Sequence, residues 1–171
     1  MKKVFIRFYE ELNDFLTGDK KKKRFEHFFK NNPSVKDLVE SIGVPHTEID
    51  LILINGAPVD FTYQVKDRDD ISVYPVFESF DISGLQHLRE KPLREKRFIL
   101  DVHLGTLARY LRMLGFDTLY KNNFTGEEII QISIDEKRTI LTKDIGILKQ
   151  NRVTHGYFVR NVIAEKQAGE V

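Results

Sequence analysis

The sequence predicts an α/β chain in two parts, a small α+β unit followed by a mostly parallel sheet flanked by helices. Three observations carry that reading. Residues 1–77 hold several short strands around a single amphipathic helix. From Phe98 onward, short apolar runs alternate with helical periodicity. Between them, 78–96 has no sustained period and gathers Arg89, Lys91, Arg94 and Lys96 around Pro92, as a basic linker would. The second part is therefore assigned to 97–171.

Composition bounds what such a chain can be. Hydrophobic residues make up 41% of the 171 and charged ones 31%, enough for a core and a hydrated surface. No run approaches the roughly 18–20 apolar residues of a membrane span. The opening MKKVFIRFYEEL is charged and strand-like, unlike a signal peptide. The absence of cysteine rules out disulfides and thiolate metal sites, and a cytoplasmic location is the reading that follows. Net charge is +1, but residues 1–80 carry 12 basic and 14 acidic side chains, and residues 81–171 carry 15 and 12. The second half is thus the more basic, a mild pointer to a polyanion there.

In VFIRF, Val4, Ile6 and Phe8 alternate inward against Phe5, Arg7 and Tyr9. The lysine run Lys20–Lys23 with Arg24 reads as a hairpin loop, with salt-sensitive nucleic-acid attraction as its other reading, and RFEHFF as the return strand. Ser34 is the expected N-cap of a helix bearing Val35, Leu38, Val39 and Ile42 on one face and ending at Gly43. LILIN, the turn Asn55-Gly56 and DISVYP supply further strands. Strand, strand, helix, strand, strand is the order of a β-grasp, the ubiquitin-like roll.

INGAPVDFTYQVKDRDDISVYP resembles the late part of small sulfur-carrier proteins of the ThiS/MoaD type. Those carriers end in a reactive Gly-Gly. Here the chain continues YPVFESFD, so their chemistry does not carry over, and the roll is expected to be an interaction module with a protein partner.

In the second part FIL is a strand, followed by a helix with Leu104, Leu107, Ala108, Leu111 and Leu114 on one face and a stop at Gly115. FDTLY, TILT and GYFVR are further strands. A helix opened by Thr125 and a helical turn IGILKQ lie between them, and AEKQAGEV begins a last helical segment without a C-cap, as if the domain were truncated there. Repeated βα units imply a parallel sheet whose ligands bind beyond the carboxyl ends of its strands.

Asp101 and Asp144 both stand just past such ends. Either could cap the helix it precedes, or the two could share a hard cation such as Mg²⁺, which takes oxygen ligands. Glu127, in the first turn after Thr125, points from the same rim as a third acid, whereas Glu128 fits a capping box with Thr125. Asp117 begins a strand and belongs to the opposite rim, with a structural role. Arg109 and Arg112, on the helix face opposite the leucines, read first as solvated helix charges and second as phosphate contacts; Lys143 is a further candidate phosphate contact, and His103 is a packed or capping side chain before it is a ligand or base.

FILDVHLGTLARYLRMLGFDTLYKNN, TGEEIIQIS and RTILTKDIGIL together resemble the Mut-seven C-terminal RNase family, a PIN-like nuclease group, in some of whose members a ubiquitin-like domain comes first. That resemblance implies a PIN-like fold and RNA cleavage with Mg²⁺ or Mn²⁺ on acidic ligands. It makes Asp101 and Asp144 metal ligands, with the family's L-T-R-D motif read here as LTKD. Family members often carry an aspartate where this chain has Gly126, which leaves Glu127 or Glu128 to complete the cluster. The four-cysteine zinc ribbon common in the family is missing from these residues. The reading is thus a metal-dependent ribonuclease acting on single-stranded RNA, with a catalytically weak RNA- or ribosome-binding adaptor as the alternative.

Overall fold

The computed structural model describes residues 1–75 and 96–171, and the chain divides into two compact units, Met1–Glu90 and Lys91–Val171. All of the expected linker except Lys96 lies outside the described residues. No helix among the described residues is long and apolar enough to cross a membrane.

The N-terminal unit contains β1 (Lys2–Phe8), β2 (Phe25–Phe29), α1 (Val35–Ile42), β3 (Ile49–Ile54), β4 (Ala57–Val59) and β5 (Asp70–Pro75). The sheet order is β2-β1-β5-β3-β4, with β1 and β5 parallel and the other pairs antiparallel. This is the ubiquitin-like roll. Val4, Ile6 and Phe8 are all but fully buried, so the alternation of β1 settles which face meets the core. The Ser34 hydroxyl accepts from the Asp37 amide at 3.1 Å, and Gly43 ends the helix at φ +128°, where a side chain would be strained. Asn55 (φ +52°) and Gly56 (φ +83°) make the tight turn between β3 and β4. A 3₁₀ helix, Glu10–Phe15, was not legible in the sequence; it buries Leu12 in the core of the roll.

The C-terminal unit runs β6 (Arg97–Leu100), α2 (Gly105–Met113), β7 (Asp117–Leu119), α3 (Gly126–Glu136), β8 (Thr139–Thr142), α4 (Ile145–Leu148), β9 (Gly156–Phe158) and α5 (Ala164–Glu170). All pairings are parallel, in the order β7-β6-β8-β9. Alternation along β6 sends Phe98 and Leu100 to one face with Leu107 and Leu111 of α2, and Ile99 to the other with Ile129 and Ile130 of α3. Helices therefore cover both faces, as parallel sheets require. Leu114 departs from the expected stripe and is 63% exposed. The helix ends at Met113, and Gly115 at φ +90° turns the chain, so Leu114 no longer follows the helical period.

The chain leaves β6 for β7 on one side and then crosses to β8 on the other side of β6. The carboxyl ends of β6 and β8 therefore flank the point where the connections diverge, the place where doubly wound sheets open a crevice.

Candidate metal centre at the carboxyl rim

Asp101 directly follows β6 and is 4% exposed. Its Oδ1 accepts from the His103 amide at 2.9 Å. Its Oδ2 accepts from the Thr142 hydroxyl and from the Lys143 amide, the latter at 2.9 Å. All three neighbours donate, so the carboxylate acts as an acceptor only, and one of its roughly four lone-pair sites is left over. Buried carboxylates are ordinarily paired with a cation or a metal. No lysine, arginine or histidine forms an ion pair with Asp101 among the described residues; the Lys143 ammonium donates instead to the Asn161 carbonyl at 2.7 Å.

Thr142 ends β8, is fully buried, and links the two aspartates. Its hydroxyl donates to Asp101 and accepts from the Asp144 amide at 2.8 Å. Asp144 is exposed and caps α4, with Oδ1 accepting from the Gly146 amide at 2.7 Å. Both aspartates therefore act as caps, and capping uses only part of each carboxylate.

Glu127 does not join them. Both of its oxygens accept from one terminal nitrogen of Arg152, at 2.6 and 2.7 Å, and this hydrogen bond holds the guanidinium pKa above its ordinary value. Among the described residues, no group of three or more His, Asp or Glu could hold a metal ion. Glu128 forms the expected capping box; the Thr125 amide and then its hydroxyl hold its carboxyl below the usual range. A Cβ on Gly126 would meet Ile147 of α4 at 3.6 Å, an ordinary contact, so the start of α3 adjoins the helix that Asp144 caps.

The basic residues divide. Arg109 is exposed on α2, with no hydrogen bond or ion pair to a described residue. Arg112 is tethered, its Nε donating to the Thr118 carbonyl at 2.9 Å. Thr118 pairs with Phe98, three residues before Asp101, which sets that tether about 10 Å back from the rim. His103 is exposed, and its backbone rather than its ring reaches Asp101. Asp117 lies on the opposite rim, 2.7 Å from the Arg138 guanidinium, whose hydrogen bond holds its carboxyl below the ordinary value.

Two participants had not been singled out in the sequence. Thr142 had a signal, since a threonine two residues before an aspartate at a strand end can accept from that aspartate's amide. Arg152 had none, because its partner lies 25 residues earlier.

The donors at Asp101, Asp144 and Thr142 are hard oxygens, and Mg²⁺ commonly takes one or two carboxylates with water and phosphate. The donor chemistry of the two aspartates suits that mode, whereas Glu127 is engaged by Arg152. Comparison with known families gives two matches: residues 1–81 to the Mut7-C ubiquitin family and residues 96–171 to the Mut7-C RNAse domain. No curated protein and no solved structure matches the chain.

Proposed function

Since the chain belongs to the Mut7-C RNAse domain family, with the Mut7-C ubiquitin domain in front, we propose that it is a divalent-metal-dependent ribonuclease whose ion is held by Asp101 and Asp144. The observation that carries this reading is the buried Asp101 carboxylate, hydrogen-bonded by three donors but lacking a counter-cation among the described residues, at the crevice rim beside Asp144. A bound Mg²⁺ or Mn²⁺ supplies Lewis-acid polarisation of the scissile phosphodiester and makes water a nucleophile near neutral pH.

The chain's own groups prepare that chemistry. Asp101 is the fixed ligand, locked by its amide and hydroxyl donors. Asp144 is the exposed ligand, with Oδ2 making no hydrogen bond to a described residue. Thr142 holds the two in register. Glu127 becomes a third acid when a substrate phosphate draws Arg152 away. Arg109 and Lys143 hold the sugar-phosphate backbone, a contact that positions RNA without reading its sequence.

Labelled single-stranded RNA incubated with Mn²⁺ tests the reading. Wild type should cleave it, and Asp144→Asn or added EDTA should stop cleavage while folding is unchanged. Equal cleavage by mutant and wild type would leave Asp144 a helix cap alone.

A second reading is favoured by the Glu127–Arg152 pair and by the lack of a three-acid group among the described residues. In it the domain is a catalytically weak RNA- or ribosome-binding adaptor using the same basic side chains. It predicts salt-dependent RNA binding that survives Asp144→Asn, with no cleavage by wild type.

A further inference from the structure

We propose that the outer face of the N-terminal sheet binds single-stranded RNA, stacking bases on layered rings and guanidinium groups and holding phosphates with the flanking cations. Because β1 turns Val4, Ile6 and Phe8 into the core, its alternation sends Lys3, Phe5 and Arg7, then Tyr9, to the other face. The pairing registers set Phe28 opposite Lys3 and Glu26 opposite Phe5 on that face. Tyr74 stacks on Tyr9, with ring centroids 4.3 Å apart and planes 11° from parallel.

Cations lie directly over these rings. The Arg24 guanidinium carbon is 4.1 Å from the Phe5 centroid, and the Lys3 ammonium is 5.2 Å from the same ring. Arg7 lies 4.8 Å from the Tyr9 centroid. A ring roofed by a guanidinium offers a flat cationic surface, and nucleobases stack on guanidinium planes as they do on aromatic rings. Phe28 is 52% exposed on β2, an edge strand, so its ring is accessible.

Charge favours a polyanion over an apolar protein surface. Lys21–Lys23 lead straight into Arg24, the residue before β2, and none of the three forms an ion pair with a described residue, whereas Lys20 lies over Phe25, whose partner Ile6 faces the core. Two acids on the face are already engaged, Glu26 with Lys3 at 2.7 Å and Asp70 with Arg24 at 3.1 Å. Both pairs are exposed, and exposed pairs contribute little, so phosphates can displace the carboxylates at small cost. The groove beside Arg7 and Tyr9 is lined also by Glu10, Glu11 and Asp14, and those carboxylates bound the platform on that side.

That the polymer is RNA rests on the ribonuclease reading of the C-terminal domain, whereas the platform rests on the sheet alone. The test is fluorescence anisotropy of a labelled 20-nucleotide single-stranded RNA with the full chain in EDTA. Wild type should bind, and Phe28→Ala should bind about tenfold more weakly, the loss of one stacked base. The double variant Arg7→Gln, Arg24→Gln should flatten the slope of log affinity against log salt by about 1.4, at about 0.7 for each of two phosphates. It also carries the test should Phe28→Ala fail to fold.

Unchanged affinity and slope in folded variants would overturn the proposal and leave the face to a protein partner, as would failure of the wild type to bind RNA. Cleavage with Mn²⁺ is scored separately. Loss of the nuclease reading would appear as RNA bound but not cut; loss of the platform would appear as RNA cut with normal binding by the variants.

Discussion

Thr142→Val removes one buried hydroxyl while keeping the side chain's volume and branching. Two hydrogen bonds vanish, one donated to Asp101 Oδ2 and one accepted from the Asp144 amide. Asp101 Oδ2 keeps the Lys143 amide, so its loss is one charge-assisted bond, about 1.5–3 kcal/mol. The Asp144 amide loses this acceptor, about 1–3 kcal/mol for an unmet donor, with water able to return some of it beside the exposed Asp144. A net destabilisation of about 3 kcal/mol follows. For a domain of this size each kcal/mol lowers the melting temperature by about 4–8 °C, giving a drop of at least about 10 °C. Thr142→Ser keeps the hydroxyl and loses a methyl, about 1 kcal/mol. In differential scanning calorimetry of the full chain, the transition that unfolds the C-terminal unit should shift far more in the valine variant than in the serine variant. Equal shifts for Val and Ser would refute the argument that the bridging hydroxyl orders the aspartates.

Three further outcomes follow from the same geometry. Gly126→Asp should fold normally, because the new Cβ meets Ile147 at ordinary contact distance and an acid suits the first turn of α3; Mn²⁺ titration should show tighter binding than wild type, and unchanged binding would separate this position from the site. Arg152→Gln should release Glu127 and tighten Mn²⁺ binding, whereas weaker binding would show that Arg152 supports the site. Asp117→Asn should destabilise the C-terminal unit at neutral pH by about 1 kcal/mol. Because the Arg138 hydrogen bond holds the Asp117 carboxyl below 3.8, that contribution is complete above the unfolded value and is lost as pH falls through the lower folded value. Urea midpoints of wild type and variant should therefore differ at pH 7 and converge in strong acid, and a constant gap would count against the ion pair.

The sequence by itself determined most of the architecture. Alternation at Val4, Ile6 and Phe8, the Ser34 and Thr125 caps, the stops at Gly43 and Gly115, and the apolar runs ending on Asp101 and near Asp144 are local patterns. Their periods follow from backbone geometry and need no distant partner. The same locality misled at Leu114, where the pattern ran past the point at which the helix ends. The D-x-x-L-G and LTKD strings, read as a family resemblance, pointed to a nuclease-like domain and to the two aspartates as candidate ligands.

The tertiary structure decided what surrounds those aspartates. That β6 and β8 are neighbours is a choice of strand order, made by long-range packing, and it brings the Thr142 hydroxyl to a carboxylate 41 residues earlier in the chain. The engagement of Glu127 by Arg152, the tether of Arg112 to Thr118 and the turn of Lys143 toward Asn161 are likewise contacts between distant segments. Charge is written in the sequence, but the partner of a charge is set by which elements meet. Only the folded chain distinguishes a buried carboxylate without a counter-cation among the described residues, such as Asp101, from one already paired, such as Glu127.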